Sequence, residues 1–499
     1  MIKMQKLHIY DSLSSKLKTF SPIKKGKVGM YVCGPTVYSD VHLGNVRTFL
    51  SFDLIFRYLK YLGYQVRYVR NITDVGHLVD DIDEGEDKIG LKAKIESLEP
   101  MEIVQRYSRG FHDVMRAFNA LPPSIEPTAT GHIIEQIEIA KKLLKTGFAY
   151  EANGSVYFDV VHYNKNNSYG ELSGRNIDDL IHGSRALDGQ SDKHSPLDFA
   201  IWKKASKEHI MRWPSPWSDG FPGWHLECSA MSAKYLGNCF DIHGGGMDLK
   251  FPHHECEIAQ NNGANGKKGA NNWLHTNMLT LNGKRMSKST GNVLLPGELL
   301  SGESPHLSRS YSANSARFFI HQAHYRSILD FSDEALQAAD KGFFRLKTSL
   351  DILKNRSKSG HENGSFDVKA WNASCESAMN NDFNSPKLIA ILFEAVKVIQ
   401  SDSKDPTILG DNGASILAKN MDIWMEDVLG LTSEYQGDSN IYKTALESAM
   451  EIIIDARKDA RDKKEWNKSD DIRKRLASGG IHLKDGADES QFSIGHDYT

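Results

Sequence analysis

The feature that most constrains the fold of this 499-residue chain is a strand, helix, strand pattern near its amino terminus. The β-rich run KVGMYVC, residues 27–33, leads into Gly34-Pro35, and apolar residues then recur at helical spacing from Asn45 to Leu62. Gly63 ends that helix, and the strand-like run YQVRYVRNIT follows it. This order of elements predicts an open parallel sheet and an α/β fold.

The sheet is interrupted and then resumed far along the chain. Pro122-Pro123 breaks the pattern, and a mixed segment with a predicted helix at 133–146 and a strand at 156–161 continues to about Pro216. A strand-like sequence pattern resumes with FDIHGGG from Phe240 and WLHTNMLTL from Trp273. We therefore expect an insertion between two halves of one sheet.

Composition places the chain among ordinary globular proteins, with 40% hydrophobic and 25% charged residues. Five irregularly spaced cysteines favour reduced thiols or metal ligands over disulfides. The sequence lacks the pattern of a signal peptide or a membrane span, which predicts a cytosolic protein. A net charge of -3 offers no general attraction to nucleic acid, so any such binding must be local.

The segment His42-Leu43-Gly44-Asn45 stands where the first helix is predicted to begin. Unpaired amides and the helix dipole favour a phosphate chain at such a place, and glycine permits close approach of a nucleotide. His42 is then a candidate donor to phosphate oxygens as charge builds in a transition state. Taken by itself, the segment is more often a capping turn with a surface histidine.

A second segment, RMSKS at residues 285–289, follows a predicted strand and a glycine turn. A flexible, hydroxyl-rich loop with two cations suits the binding of a triphosphate and of departing pyrophosphate. The two segments, in this order and about 240 residues apart, resemble the HIGH and KMSKS motifs of class I aminoacyl-tRNA synthetases. Asn45 replaces the last histidine and Arg285 the first lysine, and both can still donate to phosphate.

Four further residues form a candidate metal site. Cys33 ends the first strand, Cys228 lies in GWHLECSAM, and His253 and Glu257 lie in FPHHECE. If a helix follows Pro252, residues four apart share one face, so His253 and Glu257 can meet one ion. Two thiolates, an imidazole and a carboxylate suit zinc, which accepts all three donor types.

The neighbours of these residues leave alternatives open. Helical spacing turns His254 toward Ile258, which offers no ligand. Glu255 and Cys256 are rival ligands, because spacing alone excludes neither.

The ligand set and its surroundings are similar to those of cysteinyl-tRNA synthetases. The resemblance includes MYVCGPTVY, NITD, PSPW, FDIHGGGMDLKFPHHE and the terminal helical region, and so covers nearly the whole chain. It implies zinc ligands at Cys33, Cys228, His253 and Glu257, with Cys256 as a bystander. It implies an amino-acid pocket lined by Gly34, Thr73, Trp224, His243 and Asp248. It implies nucleotide contacts from His42, Gly44, Asn45, Gly244, Gly245, Arg285, Ser287 and Lys288. Of these, His42, Asn45 and Lys288 would be catalytic.

By the same resemblance, the fold is an α/β, Rossmann-like class I synthetase catalytic domain with a connective insertion, followed by a C-terminal α-helical bundle and a small terminal module. The predicted boundaries are 1–120 and 217–300 for the catalytic halves, 121–216 for the insertion, 301–335 for a stem-contact connector, 336–435 for the bundle and 436–499 for an anticodon-binding module.

Two segments outside the catalytic halves are candidates for RNA contact. The connector holds His324-Tyr325-Arg326-Ser327, where the family contacts the acceptor side of tRNA. The last module holds residues 456–475, with nine Lys or Arg, five Asp or Glu, and Trp466. Such a segment could neutralise phosphates and stack an unpaired base, although a mixed-charge run is usually a solvated helix face.

The implied reaction converts L-cysteine and Mg²⁺-ATP to cysteinyl-adenylate, and then transfers cysteine to the 3′ end of tRNA(Cys). One Zn²⁺ per subunit would select cysteine, because a metal ion deprotonates a thiol whereas the hydroxyl of serine stays protonated. We expect a cytoplasmic monomer without a membrane partner. The rivals are a related cysteine ligase with an amine acceptor, which the long helical tail disfavours, and an inactive RNA-binding zinc protein, which the intact motifs disfavour.

Overall fold

The computed structural model describes residues 6–76, 88–177, 192–207, 209–286, 291–432, 439–478, 481–485 and 490–494. The chain divides into two compact units, residues 1–434 and 435–499. Ser287 and Lys288 lie outside the described residues, so their roles stay predictions. None of the described helices is long and apolar enough to cross a membrane. The finer division into six segments also stays a prediction.

The amino-terminal region alternates strands and helices as its sequence predicts. The helix expected at 45–62 begins at Leu43, because His42 caps its first turn, and it ends at Tyr61. Pro100 begins the second long helix, where its missing amide proton costs nothing. The elements of this region are β1 (His8–Asp11), β2 (Lys16–Thr19), β3 (Lys27–Val32), α1 (Leu43–Tyr61), β4 (Gln65–Arg70), α2 (Lys88–Glu96) and α3 (Pro100–Ala117).

The insertion forms an antiparallel sheet covered by a helix. That helix has the predicted bounds and ends where Gly147 takes a left-handed conformation, with φ of 79°. The strand predicted at 156–161 stops at Phe158, because Asp159 caps a short helix. The elements are α4 (Ile133–Thr146), β5 (Ala149–Ala152), β6 (Ser155–Phe158), α5 (Val160–Asn164), β7 (Phe199–Lys204) and β8 (Gly220–Pro222).

The chain then returns to the first sheet. The strand-like run from Trp273 forms two strands, which are separated at Asn277-Met278. The elements are α6 (Leu226–Leu236), β9 (Cys239–Gly246), α7 (His253–Asn265), β10 (Gly269–Thr276), β11 (Leu279–Leu281) and β12 (Lys284–Arg285). The core of the insertion is continuous with this half, since Val156 and Phe158 pack in one cluster with Leu226 and Ala259.

The central sheet has the strand order β10-β9-β3-β4, and every neighbouring pair is parallel. This arrangement confirms the predicted open parallel sheet. Because the strands are parallel, the residues that follow Val32, Arg70, Gly246 and Thr276 emerge at one edge. Ligands of open α/β sheets bind at this carboxyl edge.

The rest of the larger unit is mostly helical. Its elements are α8 (Pro296–Ser301), α9 (Ala313–His321), β13 (Leu329–Phe331), α10 (Asp333–Lys354), α11 (Val368–Met379), α12 (Ser385–Asp402), α13 (Gly410–Asp422) and a π-helix (Ile423–Val428). Strand β13 joins β11 and β12 in a three-stranded sheet. The predicted connector is therefore bound to the hairpin that precedes residues 287–290.

A buried cation ties this connector to helix α1. Arg47 is 1% exposed, and its guanidinium donates to the carbonyl oxygens of Met278 and Ser327. Burial lowers the pKa of Arg47 to about 10, so the group remains protonated at neutral pH. Arg326 forms an ion pair with Asp382 at 2.7 Å, on the side of the helical bundle.

The smaller unit consists of α14 (Ser439–Asp462), α15 (Trp466–Ser478), β14 (Ile481–Asp485) and β15 (Ser490–Ile494). The two strands form an antiparallel hairpin. Trp466, the first residue of α15, is 59% exposed.

Candidate active site

A cavity of about 570 Å³ opens at the carboxyl edge of the central sheet. It is lined by residues from both catalytic halves, although these are far apart in the sequence. Among the predicted residues it brings together are Cys33, Gly34, His42, Asn45, Thr73, Trp224, Cys228, Asp248 and His253. The nucleotide, amino-acid and metal predictions thus converge on one cavity.

His42 and Asn45 cap helix α1 at one side of this cavity. The amide of Asn45 donates to Nδ1 of His42 at 3.3 Å, and Oδ1 of Asn45 accepts from the amide of His42 at 3.1 Å. A Cβ atom at Gly44 would lie 2.9 Å from the His42 ring, which explains the glycine between them. The segment is therefore a capping turn and a wall of the cavity at once.

Four potential metal ligands meet in this region. The donor atoms of Cys33, Cys228, His253 and Glu257 all lie within 4.8 Å of one another, and all four side chains are buried. The two sulfur atoms are 3.8 Å apart, and Nε2 of His253 is 3.2 Å from Oε1 of Glu257. His253 and Glu257 share one face of α7, as their spacing predicts.

These separations suit a tetrahedral ion. Two sulfur atoms at about 2.3 Å from a central zinc ion lie about 3.8 Å apart in a tetrahedron, and nitrogen and oxygen ligands at about 2.0 Å lie about 3.3 Å apart. The observed separations are 3.8 and 3.2 Å. The donor set is compatible with zinc in both chemistry and spacing.

Two of the four buried groups favour their metal-binding forms without an ion, and two do not: burial raises the pKa of the Cys228 thiol well above its usual range, and Cys33 and Glu257 raise the pKa of His253 to about 10 against the effect of its burial. Burial raises the pKa of the Glu257 carboxyl group, but His243 and His253 lower it to about 2. Burial raises the pKa of the Cys33 thiol, while hydrogen bonds with Cys228 and His253 lower it to about 7. Glu257 is therefore ionised at neutral pH and Cys33 loses its proton readily, as coordination requires.

His254 does not lie where its spacing predicts. Its Nε2 is 3.3 Å from Sγ of Cys33 and 4.0 Å from Oε1 of Glu257, so the prediction that it faces away was wrong. The ring has room because Gly245 lacks a side chain; a Cβ atom there would lie 2.8 Å from it. Cys33, His243, His254 and Glu257 thus form a second, overlapping donor set.

The rival ligands Glu255 and Cys256 have other contacts. The carboxylate of Glu255 accepts from the amides of Leu172 and Ser173, at 3.3 and 2.8 Å. Sγ of Cys256 lies 3.4 Å from the hydroxyl of Tyr169. Neither residue belongs to a group of donors close enough to share one ion, among the parts of the chain that were described.

The remaining predicted residues either do not line the cavity or lie outside the described chain. A Cβ atom at Gly244 would lie 2.2 Å from the Phe52 ring, so close packing accounts for glycine there. His243 is 2.8 Å from Oε2 of Glu257 and stacks on Trp273. Neither these residues nor Gly245 line the cavity, and Arg285 is exposed on β12. Their predicted substrate contacts stay predictions.

Sequence reasoning missed two polar residues of the cavity, Asn71 and Glu227. Both are 1% exposed, and both bond to Thr73, one of the predicted pocket residues. Burial raises the pKa of the Glu227 carboxyl group well above its usual range, and its bond from Thr73 offsets part of that rise. The sequence did offer one signal for Glu227, because an acidic residue within the apolar run that contains Cys228 is unusual.

Comparison with known proteins agrees with the site. The chain matches the family described as tRNA synthetases class I (C) catalytic domain over residues 19–341, and the DALR domain over residues 375–433. It is 51% identical to the cysteine–tRNA ligase of Bacteroides fragilis over 488 residues, which is 98% of this chain and 99% of the relative. The chain belongs to the cysteine–tRNA ligase family. The cysteine–tRNA ligase of Chlorobaculum tepidum is 44% identical over 98% of this chain and 99% of its own.

Solved structures of other class I enzymes share the fold of this family member. A methionyl-tRNA synthetase of Mycobacterium tuberculosis, in complex with methionyl-adenylate, gives a TM-score of 0.59 at 14% identity. The likeness covers 82% of this chain and 92% of that one. A putative arginyl-tRNA synthetase of Campylobacter jejuni gives 0.54 at 12% identity, over 82% and 94% of the two chains. The predicted fold class, a class I catalytic domain followed by helices, is thereby confirmed.

Proposed function

We propose that the chain is a cysteine–tRNA ligase that activates L-cysteine with ATP and transfers the cysteine to the 3′ end of tRNA(Cys). The observation that carries this proposal is one cavity with two kinds of wall. One wall is the start of helix α1 with His42 and Asn45, which suits a phosphate chain. The other holds the buried cysteine, histidine and glutamate donors, which suit a thiol-binding metal.

The capping turn prepares two donors for the nucleotide. Because Nδ1 of His42 accepts the Asn45 amide, a neutral ring carries its proton on Nε2, where it can donate. Because Oδ1 of Asn45 accepts the His42 amide, the NH₂ group of Asn45 is left to donate. Both groups stand at the positive end of the helix dipole. They support the binding of Mg²⁺-ATP at this wall.

Adenylate formation needs little covalent chemistry from the protein. The carboxylate of cysteine attacks the α-phosphorus of ATP and pyrophosphate leaves; a hydroxyl group of the 3′-terminal adenosine of tRNA then attacks the carbonyl carbon of the adenylate and AMP leaves. The cavity contributes by holding the two substrates side by side and by offering donors to the developing charge. Cys33 and Cys228 act as ligands in this mechanism, not as nucleophiles.

The amino-acid specificity is assigned to the donor cluster. Zinc held by Cys33, Cys228, His253 and Glu257 would bind the substrate sulfur as a thiolate and so distinguish cysteine from serine. Trp224 supports this site, since its ring lies 4.6 Å from that of His253. The aromatic contact fixes the imidazole against the cavity wall.

We also propose that the enzyme works as a monomer in the cytoplasm. No disulfide joins its five cysteines, all of which are described, and four of the five are buried. Reduced thiols of this kind are typical of the cytoplasm.

Cysteine-dependent exchange of pyrophosphate into ATP, followed by charging of tRNA(Cys), tests the proposed function. Purified protein is expected to exchange with cysteine, not with serine, and to contain one zinc ion per chain. Exchange without tRNA charging would instead support a cysteine ligase with another acceptor. Absence of exchange in folded, zinc-loaded protein would refute the proposal.

Lys288→Ala is expected to slow adenylate formation by about a hundredfold, while the KM for cysteine changes less than threefold, because the loop is proposed to act on transition-state charge. Pre-steady-state measurement of adenylate formation checks this result. Lys284→Ala is a suitable control, since Lys284 is an exposed lysine on β12, four residues before Lys288 in the sequence. Equal loss of rate and of cysteine affinity in the Lys288 variant would contradict the assigned role.

A further inference from the structure

A second cavity, of about 530 Å³, opens at the edge of the central sheet opposite to the active site. Its wall is made of the first residues of β9, β3 and β4, which are neighbours in the sheet, together with the segment before β3 and the end of helix α6. Its volume is close to the 570 Å³ of the active cavity and lies within the range of about 300–1,000 Å³ that is usual for small-molecule sites. The same strands therefore carry a cavity at each of their ends.

Three cations line this second cavity. Lys24, Lys27 and Arg67 are exposed, and none of them forms an ion pair within the part of the chain that the structure describes. Nη1 of Arg67 donates to the carbonyl oxygen of Tyr235 at 3.1 Å. Because a carbonyl group is neutral, this bond holds the guanidinium in place without cancelling its charge. The three positive charges are therefore available to an anion.

Asp241, the one acidic residue among the described residues of this lining, is committed to the backbone. It is 4% exposed, and its two carboxylate oxygens accept from the amides of Ile23 and Gly29, each at 2.7 Å. The bond from Ile23 holds the segment that carries Lys24 against the sheet. Three cations against one carboxylate leave the lining with a net charge of +2, whereas the whole chain carries -3. The positive charge is thus a local feature of this cavity.

Much of the remaining lining is apolar. It is formed by Ile23, Val28, Val66, Leu236 and Phe240. A lining of cations and apolar side chains suits a ligand that combines an anionic group with an apolar or aromatic body. Lysine and arginine bind phosphate through charge-assisted hydrogen bonds, and a phosphate monoester carries up to about two negative charges at neutral pH. Such a group matches the net charge of the lining.

We propose that this second cavity is a binding site for a small organic phosphate. The phosphate group is bound by Lys24, Lys27 and Arg67, and the body of the ligand packs against the apolar side chains of the lining. The inference does not rest on the proposed function, because the described residues that line this cavity are all different from those that line the active one.

Cys239 provides a reporter that separates this cavity from the active one. It lines the second cavity and is exposed, whereas the other four cysteines of the chain are buried. The rate at which N-ethylmaleimide, an uncharged reagent, alkylates Cys239 is measured by peptide mass spectrometry at physiological ionic strength. Millimolar AMP is expected to slow this alkylation by about tenfold, because an occupied cavity shields the thiol. Adenosine, which lacks the phosphate group, should slow it by less than about twofold.

Charge reversal tests the role of the cations. Lys24→Glu and Lys27→Glu should each reduce the protection by AMP at least about threefold, because each replaces a phosphate donor with a repelling carboxylate. Lys25→Glu is the matched control, since Lys25 is an exposed lysine of the same turn that does not line the cavity. It should keep the protection. Each variant is compared with itself in the absence of AMP, and retained cysteine-dependent exchange shows that it is folded.

Absence of protection by AMP, or equal protection by AMP and adenosine, would overturn the inference. Unchanged protection in both Lys24→Glu and Lys27→Glu would overturn it as well. Protection by a tRNA(Cys) transcript without protection by AMP would assign the cations to RNA and overturn the small-molecule site. A wild-type protein without cysteine-dependent exchange would contradict the proposed function alone, so the two failures are distinguishable.

Discussion

Replacing Cys228 with serine is expected to remove the bound zinc and to lower cysteine-dependent pyrophosphate exchange on the order of a thousandfold, because a site that loses one of four ligands binds the ion far more weakly. Cys228 is 1% exposed, and its sulfur lies 3.8 Å from that of Cys33. The change of one atom removes a soft ligand without altering the shape of the residue. Zinc content and exchange are measured on the same sample.

This substitution also decides between the two donor sets. Cys228 belongs to the set with His253 but not to the set with His243 and His254. Zinc retained in Cys228→Ser would therefore assign the ion to the second set. Cys256→Ser is the matched control, because Cys256 is equally buried and lies on the same helix as His253, yet contacts Tyr169. That variant should keep both zinc and exchange.

Removing residues 436–499 is expected to leave cysteine-dependent exchange within about threefold of the full chain and to lower tRNA charging efficiency by about a thousandfold. The deleted residues form a compact unit of their own, so the larger unit keeps its internal contacts. A thousandfold corresponds to about 4 kcal/mol, which two or three stacked bases together with several phosphate contacts can supply. Charging of tRNA(Cys) transcript, measured as kcat/KM, provides the comparison.

A single substitution refines this deletion. Trp466→Ala in the full chain removes a largely exposed indole and should lower charging without affecting exchange. Charging that survives the deletion would show that the larger unit alone reads tRNA. Loss of exchange together with charging would show that the smaller unit supports the fold of the catalytic domain.

Local patterns predicted most of the elements but not every contact. The apolar spacing of helix α1 and the i and i+4 positions of His253 and Glu257 depend on helix geometry alone, and both were found. His254 was misplaced because residues three apart also share a helix face, which puts it on the side of Glu257; its ring then fits because Gly245, from another strand, leaves space. Helical spacing carries no information about such a neighbour.

Contacts between distant residues could not be predicted either, because local sequence patterns carry no information about which distant segments meet. Thr73 and Glu227 are 154 positions apart and meet because strand β4 ends, and helix α6 begins, at the same edge of the sheet. The strand-like run from Trp273 is interrupted by contacts with distant residues as well. It divides at Asn277-Met278, where the amide of Asn277 bonds to Tyr325 and the carbonyl of Met278 accepts from Arg47.

The buried guanidinium of Arg47 has a mechanical consequence for a tRNA-bound enzyme. It joins the helix that begins with His42 to Met278 and to Ser327, in the segment predicted to meet the acceptor stem. If one of these segments moved alone, the buried guanidinium would lose a hydrogen-bond acceptor. Each lost hydrogen bond would cost about 1–3 kcal/mol of free energy. These three segments should therefore move together as one rigid body. An acceptor stem that displaces residues 324–327 would then also displace the start of helix α1, with His42 and Asn45, and any hinge would lie outside these segments.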